Sequence, residues 1–208
     1  MPRAIGFSRE GQDARREGVP VNPDTDALEP GPAIELSKGV CHLVKEKKPD
    51  FSFYIFGSIV KTGVPGLCVT RQYPDRVRRE HDLKDIRVIW LSHTPGDDYH
   101  NPTALGVLTK AICKFIEDNS GEAVVLIDGL EYLVVNNGFL QTLMFVEQVN
   151  EFVMQRKAVV ILPVSPEALE EKELALLERN LEVVEAPMIK MDMETKQVSK
   201  LLDTYEGK

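Results

Sequence analysis

The sequence lacks the features that mark secreted, membrane-embedded and zinc-binding proteins. It has only three cysteines, Cys41, Cys68 and Cys113, which are far apart and have apolar neighbours. This pattern predicts reduced core thiols in a cytoplasmic protein, and no Cys/His spacing indicates a metal site. No apolar run approaches the roughly 20 residues of a membrane-spanning helix. The amino-terminal residues have no apolar core of the signal-peptide type.

Basic residues are also in short supply. The 208-residue chain has 25 Lys and Arg against 33 Asp and Glu, which gives a formal net charge of −8. A general nucleic-acid binder needs a basic surface that displaces counterions from phosphates, so this balance disfavours that class. A local basic cluster leaves nucleic-acid association open as a third hypothesis; it consists of Arg71, Arg76, Arg78 and Arg79.

Glycine is missing where a nucleotide hydrolase would need it. A P-loop requires GxxxxGK[ST] after the first strand, because glycines let backbone amides approach the phosphates. Here the first predicted strand is followed by KEKKPDFSF, residues 45–53. Lys45, Lys47 and Lys48 supply charge without a glycine cradle, and Ser52 is the only hydroxyl residue in this stretch. Ordinary P-loop hydrolysis is therefore not expected.

The chain does contain alternating strand and helix patterns between residues 34 and 184. Strands are predicted at 39–46, 66–71, 87–92, 123–128, 158–164 and 180–185. Helices are predicted at 51–63, 74–81, 138–157 and 166–179, with a further helix capped by Asn101 ahead of Pro102. Residues 93–101 are predicted as a loop, and 136–138 as a turn into the long helix. This order predicts an α/β fold, a three-layer parallel sheet with helices on both faces.

Two segments flank this predicted domain. Residues 1–33 are rich in Pro and Gly and poor in large apolar side chains, which predicts a flexible amino-terminal arm. Residues 185–208 form a carboxyl-terminal extension in which Val198, Leu201, Leu202 and Tyr205 recur at i, i+3, i+4 and i+7. That spacing predicts an amphipathic helix, which either packs on its own domain or binds a partner or a second copy of the chain.

The residues with chemical potential follow the predicted strands. The strand 123–128 is apolar along its length and ends in Asp128, with Glu131 just beyond, while Arg71 and Ser92 end two other strands. Parallel strands end at one edge of the sheet, where α/β proteins bind ligands. One hypothesis is a phosphate-binding site in which Arg71 holds the anion while Asp128 and Glu131 hold a metal ion or water. The alternative is an Arg71–Asp128 ion pair that ties the edge together.

Several segments together resemble an archaeal family, domain of unknown function 835. They are PGLCVTRQYPDRVR (65–78), VIWLS (88–92), YHNPTAL (99–105), IEDNSGEAVVLIDGLEYLVVNNGF (116–139) and PEALEEKELALLER (166–179). The resemblance covers about residues 39–184. It implies a degenerate RecA/KaiC-like P-loop fold without Walker A, with Asp128 at the Walker-B position. It also implies a role in signalling or regulation, and it supplies no catalytic residues.

The resulting functional expectation is a non-enzymatic cytoplasmic regulatory or adaptor domain of archaeal signalling. It binds a protein partner, with an anionic ligand as a further option, at the edge formed by Arg71, Ser92, Asp128 and Glu131. The predicted carboxyl-terminal helix is a second partner-binding element, and it also offers a route to a homo-oligomer. No cofactor, metal or membrane is expected. The runner-up hypothesis is an atypical magnesium-nucleotide enzyme of the ATPase type that lacks a P-loop.

Overall fold

The computed structural model describes residues 36–83, 86–96 and 98–186. The predicted amino-terminal arm lies outside these residues. So does the predicted helix of the extension, with Val198, Leu201, Leu202 and Tyr205, so both stay predictions.

Seven strands of the described part form one parallel sheet. They are β1 (Val40–Lys45), β2 (Gly66–Thr70), β3 (Arg87–Leu91), β4 (Tyr99–His100), β5 (Val124–Asp128), β6 (Val159–Val164) and β7 (Glu182–Glu185). Their order across the sheet is β4-β3-β2-β5-β6-β1-β7, and every neighbouring pair is parallel. An all-parallel sheet whose strands are joined mainly by helices is an α/β fold, so the α/β prediction is confirmed.

Helices cover both faces of the sheet, which confirms the three predicted layers. They are α1 (Asp50–Lys61), α2 (Pro74–Glu80), α3 (Leu105–Asp118), α4 (Leu130–Asn137), α5 (Phe139–Met154) and α6 (Glu171–Asn180), with a short 3₁₀ helix at Pro166–Ala168. α1 and α2 pack on one face, whereas α3, α4, α5 and α6 pack on the other. None of the helices in the described residues combines the length and apolarity that a membrane crossing needs.

The alternation of side chains along each strand builds two separate cores. In β5, Val125 and Ile127 face the layer of α3 to α6, while Val124 and Leu126 face α1 and α2. All four side chains are completely buried. A strand with both faces covered needs apolar residues at successive positions, and this explains the continuous apolar run in the sequence.

Two predictions around residue 101 are wrong. The predicted loop 93–101 contains the short strand β4, whose residues Tyr99 and His100 pair with β3. The helix that was expected to begin at Asn101 begins at Leu105. The reason is local: the Asn101 side-chain oxygen accepts hydrogen bonds from the amide and the hydroxyl of Thr103, which closes a turn before the helix.

Other helix boundaries also differ from prediction. The apolar stretch before the predicted turn at 136–138 is the helix α4, and Gly138 alone joins it to α5. The acidic helix predicted at 166–179 is divided into a 3₁₀ turn and α6, because Leu169 and Glu170 are extended. Leu140, one of the apolar residues whose spacing along 138–157 predicts an amphipathic helix, is 69% exposed.

Gly129 makes the turn from β5 into α4, and its backbone angle φ is +145°. An added Cβ atom would lie 3.3 Å from the Leu91 Cδ1 atom and 3.8 Å from the Arg71 amide nitrogen. We therefore expect Gly129→Ala to lower the free energy of unfolding by about 1–3 kcal/mol, as measured by urea denaturation.

Gly106 provides the matched control, because it lies in α3 with open space around its Cα. Gly106→Ala should leave stability unchanged or raise it by up to about 1 kcal/mol. Equal stabilities of the two variants would contradict the role assigned to Gly129.

Candidate functional site

The carboxyl edge of the sheet brings Asp128 against the end of β2. Thr70 and Asp128 are direct partners in the β2–β5 register, and they are the last residues of their strands. The Thr70 hydroxyl donates to Asp128 Oδ2 at 2.8 Å, and the Gln72 side-chain amide donates to the same oxygen at 3.2 Å. The Thr70 oxygen also accepts from the Gln72 backbone amide at 3.0 Å. Two neutral side chains thus hold this carboxylate.

The expected Arg71–Asp128 ion pair is wrong. Arg71 is exposed, and within the described residues it has no carboxylate oxygen within 4.0 Å. Thr70 is the residue in register with Asp128. Because successive side chains of a strand point in opposite directions, the neighbouring residue Arg71 does not share this position beside Asp128. The backbone of Arg71 is engaged: its carbonyl oxygen accepts from the Trp90 indole at 3.2 Å.

Glu131 joins the edge through a backbone contact. It lies in the first turn of α4, and its Oε1 atom accepts from the Ser165 amide at 2.8 Å. Ser165 directly follows β6, so the bond ties α4 to the end of a neighbouring strand. The structure thus brings Glu131 to the end of β6, where the group that binds its carboxylate is the backbone amide of Ser165.

Ser92 and His93, which follow β3, also make contacts within the protein. Ser92 is 8% exposed, and its hydroxyl oxygen accepts from the Thr94 amide at 2.9 Å. His93 is exposed, and its Nε2 atom lies 2.9 Å from the Asn136 side-chain oxygen. Its ring also meets Tyr132 edge-on, with ring centroids 6.5 Å apart. Both residues therefore fasten the β3 end to its own loop or to α4.

Metal ligands are not grouped in the described residues: no set of three His, Cys, Asp or Glu side chains there is arranged to hold an ion. Thiol chemistry is equally poorly supported. Cys41 and Cys68 are buried, and burial raises the pKa of the Cys41 thiol to about 12 and that of Cys68 well above its usual range. Cys113, expected in the core, is only partly buried, and burial again raises its pKa.

Glu46 is a site residue that the sequence reasoning missed. It follows β1, and its two carboxylate oxygens accept from the amides of Phe51 and Ser52 in the first turn of α1, each at 3.0 Å. Burial raises the pKa of Glu46, opposed by these amides and by the Ser52 hydroxyl. The sequence feature that could have indicated this role is Pro49, which occupies the cap position of α1. Proline has no side-chain acceptor, so another residue has to accept the hydrogen bonds of the first helical amides.

An exposed aromatic surface was also missed. Tyr73 is 57% exposed and meets the ring of Trp90 edge-on, with centroids 5.5 Å apart and an interplanar angle of 88°. Trp90 in turn donates its indole N–H to the Arg71 carbonyl. We call these three residues, Arg71, Tyr73 and Trp90, the edge surface. The indole bond and the ring contact fix the two aromatic side chains relative to each other.

A second exposed region lies on the layer of α3 to α6. A cleft of about 460 Å³ is lined by residues of α3 and by Asn137 and Gln141, and a second cleft of about 600 Å³ shares those two residues and continues to α6. Val107 and Leu140, which line these clefts, are 60% and 69% exposed.

Comparisons with known proteins agree with the fold. The family model described as protein of unknown function (DUF835) matches residues 45–181. A KaiC-like protein, PH0186 of the archaeon Pyrococcus horikoshii OT3, is similar in structure with a TM-score of 0.51 and 14% identity, covering 74% of this chain and 76% of its own. Another P. horikoshii OT3 protein, PH0250, gives a TM-score of 0.53 and 12% identity, with 74% and 84% covered. No curated protein sequence matches this one.

We expect Thr70→Val to destabilise the protein by about 1–3 kcal/mol in urea denaturation. Valine has a similar shape, but it removes the hydroxyl that donates to Asp128 and accepts from Gln72, in a completely buried position. Thr109→Val is the control, because the Thr109 hydroxyl bonds only to the carbonyl of Leu105 within α3. If both variants lose the same stability, Thr70 does not support the Asp128 carboxylate.

Proposed function

Since this chain belongs to the DUF835 family of proteins of unknown function, we propose that it is a non-enzymatic regulatory or adaptor domain. It uses a degenerate RecA/KaiC-like fold to bind a protein partner at the carboxyl edge of the sheet. The setting that fits best is cytoplasmic signalling in an archaeon. The fold leaves this function open, because one fold supports many activities.

The observation that carries the proposal is that protein groups already bind the carboxylates of the edge. Asp128 accepts two hydrogen bonds from Thr70 and Gln72, and Glu131 accepts one from the amide of Ser165. In a P-loop hydrolase, the carboxylate at the position of Asp128 is committed to the magnesium ion. Here its position is fixed by neutral donors that stabilise the edge, so an architectural role fits better than a catalytic one.

The edge surface supplies the features of a protein contact. Tyr, Trp and Arg are the residue types that contribute most to the affinity of protein interfaces. Arg71 is exposed without an ion pair in the described residues, so its guanidinium is available to an acidic group of a partner or to a small anionic ligand. Tyr73 and Trp90 are held against each other before any partner binds, which reduces the entropy lost on association.

An atypical magnesium-nucleotide enzyme is the second candidate. One observation favours it: Asp128 ends a central strand at the edge where α/β folds bind ligands. Against it, the loop between β1 and α1 has no glycine, and the first-turn amides of α1 are bound by Glu46. Nucleotide binding therefore lacks a phosphate position in this conformation.

Nucleic-acid association receives less support. Within the described residues, two of the four clustered arginines face carboxylates: Arg76 bonds to Glu80 at 3.0 Å, and Arg78 contacts Asp75 and Asp98 at 3.3 and 3.0 Å. These pairs compensate much of the local positive charge that phosphates would require. An acidic contact at Arg71 fits this distribution of charge better than a nucleic-acid backbone.

We expect no nucleotide to raise the melting temperature at millimolar concentration with magnesium, and no ATP turnover. A ligand that binds only the native state must stabilise it, so thermal melting in the presence of ATP, ADP or GTP is a direct test. Magnesium-dependent hydrolysis that disappears in Asp128→Asn, at unchanged melting temperature, would instead establish the enzyme.

The partner surface is tested by Tyr73→Ala in the full-length chain. We expect the variant to lose, by at least about tenfold in affinity, any protein that the wild type retains specifically from an extract of the source organism. Tyr54→Ala is the matched control: Tyr54 lies on α1 and is 59% exposed, against 57% for Tyr73. Equal retention by Tyr73→Ala and wild type would place the partner elsewhere.

The extension is tested separately, by deleting residues 186–208. If Val198, Leu201, Leu202 and Tyr205 bind a partner or a second copy, the deletion should abolish co-purification or self-association in sedimentation experiments and leave the melting temperature nearly unchanged. A fall in melting temperature without a change in association would mean that the extension packs on its own domain.

A further inference from the structure

The connection between β1 and α1 brings the amino end of a helix to the carboxyl edge of the sheet. β1 ends at Lys45 and α1 begins at Asp50, and the helix continues for 12 residues. The first amides of a helix have no partners within the helix, and with the helix dipole they attract anions. A phosphate group binds at this kind of strand-to-helix junction in many α/β proteins.

In this chain the junction is filled by a side chain. The amide of Phe53 donates to a backbone carbonyl before the helix, that of Pro49. The two preceding amides, of Phe51 and Ser52, both donate to Glu46, one to each carboxylate oxygen, at 3.0 Å. The carboxylate therefore takes up both amides, as two oxygens of a phosphate group would.

The Ser52 hydroxyl is a second, independent sign of an anion position. Ser52 is completely buried, and its Oγ atom has no hydrogen-bond partner. The same hydroxyl lowers the pKa of Glu46, against the effect of burial, which places it near that carboxylate. A buried hydroxyl without a partner is rare in native proteins, so this one is an unused donor beside the anion position.

Two of the neighbouring lysines form ion pairs with other elements. Lys45 forms ion pairs with Glu178, at 3.0 Å, and with Glu185, while Lys47 pairs with Glu167 at 3.2 Å. These contacts join the loop after β1 to the elements around α6 and β7. Lys45 and Lys47 are thus paired away from the first turn of α1, and the loop places the carboxylate of Glu46 there.

We infer that Glu46 is an internal substitute for phosphate: its carboxylate occupies the anion position at the amino end of α1 and excludes inorganic phosphate and phosphate esters from it. Removing the carboxylate opens a phosphate site formed by the amides of Phe51 and Ser52 and by the Ser52 hydroxyl. The inference concerns a different contact from the edge surface, and it stands whether or not Tyr73 binds a partner.

Glu46→Ala tests the inference with inorganic phosphate as the probe, at constant ionic strength. We expect the variant to melt roughly 2–4 °C lower than wild type, because α1 loses its cap. Added phosphate should raise the melting temperature of the variant by about the same amount, and the effect should saturate. In the same titration, the amide ¹H–¹⁵N signals of Phe51 and Ser52 should move in the variant and stay fixed in the wild type.

Glu167→Ala is the matched control, because it removes a carboxylate that bonds Lys47 but touches no amide of α1. It should not gain phosphate binding. A folded Glu46→Ala protein that ignores phosphate would overturn the inference. If that variant does not fold, the wild-type signals decide: movement of the Phe51 and Ser52 amides with phosphate means that Glu46 does not exclude it, and fixed signals support the exclusion.

Discussion

The parallel pairing of β5 with β2 on one side and β6 on the other is the constraint on which the rest of the structure depends. Parallel strands need crossover connections, and here the helices in those connections bury both faces of the sheet. The same pairing fixes the register, so that Thr70 meets Asp128 at the strand ends. The chemistry of the carboxyl edge therefore follows from the way in which the strands are aligned.

Three carboxylates near this edge share one property: each is bound by groups of the protein itself. Asp128 accepts from a hydroxyl and an amide side chain, Glu131 from the amide after β6, and Glu46 from two amides of α1. In a nucleotide hydrolase, the equivalent places serve the metal ion and the phosphates. In this chain all three carboxylates serve as internal contacts that hold strands, loops and helices together.

The sequence predicted the fold well where burial leaves a direct trace in residue type. The continuous apolar run of β5 and the amphipathic patterns of α1 and α5 are such traces. It failed where the chain bonds to its own backbone. The turn closed by Asn101 delays α3, and the contacts of Glu46 and Glu131 are to amides, which every residue except proline possesses and no sequence pattern displays. For Arg71, the error was one residue: Thr70, the residue before it, is the one aligned with Asp128 across the sheet.

Trp90 is the only tryptophan of the chain, and it lies at the end of β3 between Tyr73 and the Arg71 carbonyl. It is partly buried, and its indole N–H is engaged in a single hydrogen bond to the backbone. The protein consequently has a built-in optical probe at the edge surface. Its ultraviolet emission, excited selectively over tyrosine, reports on the polarity and hydrogen bonding of this one place, so contact there can be followed in the unlabelled chain.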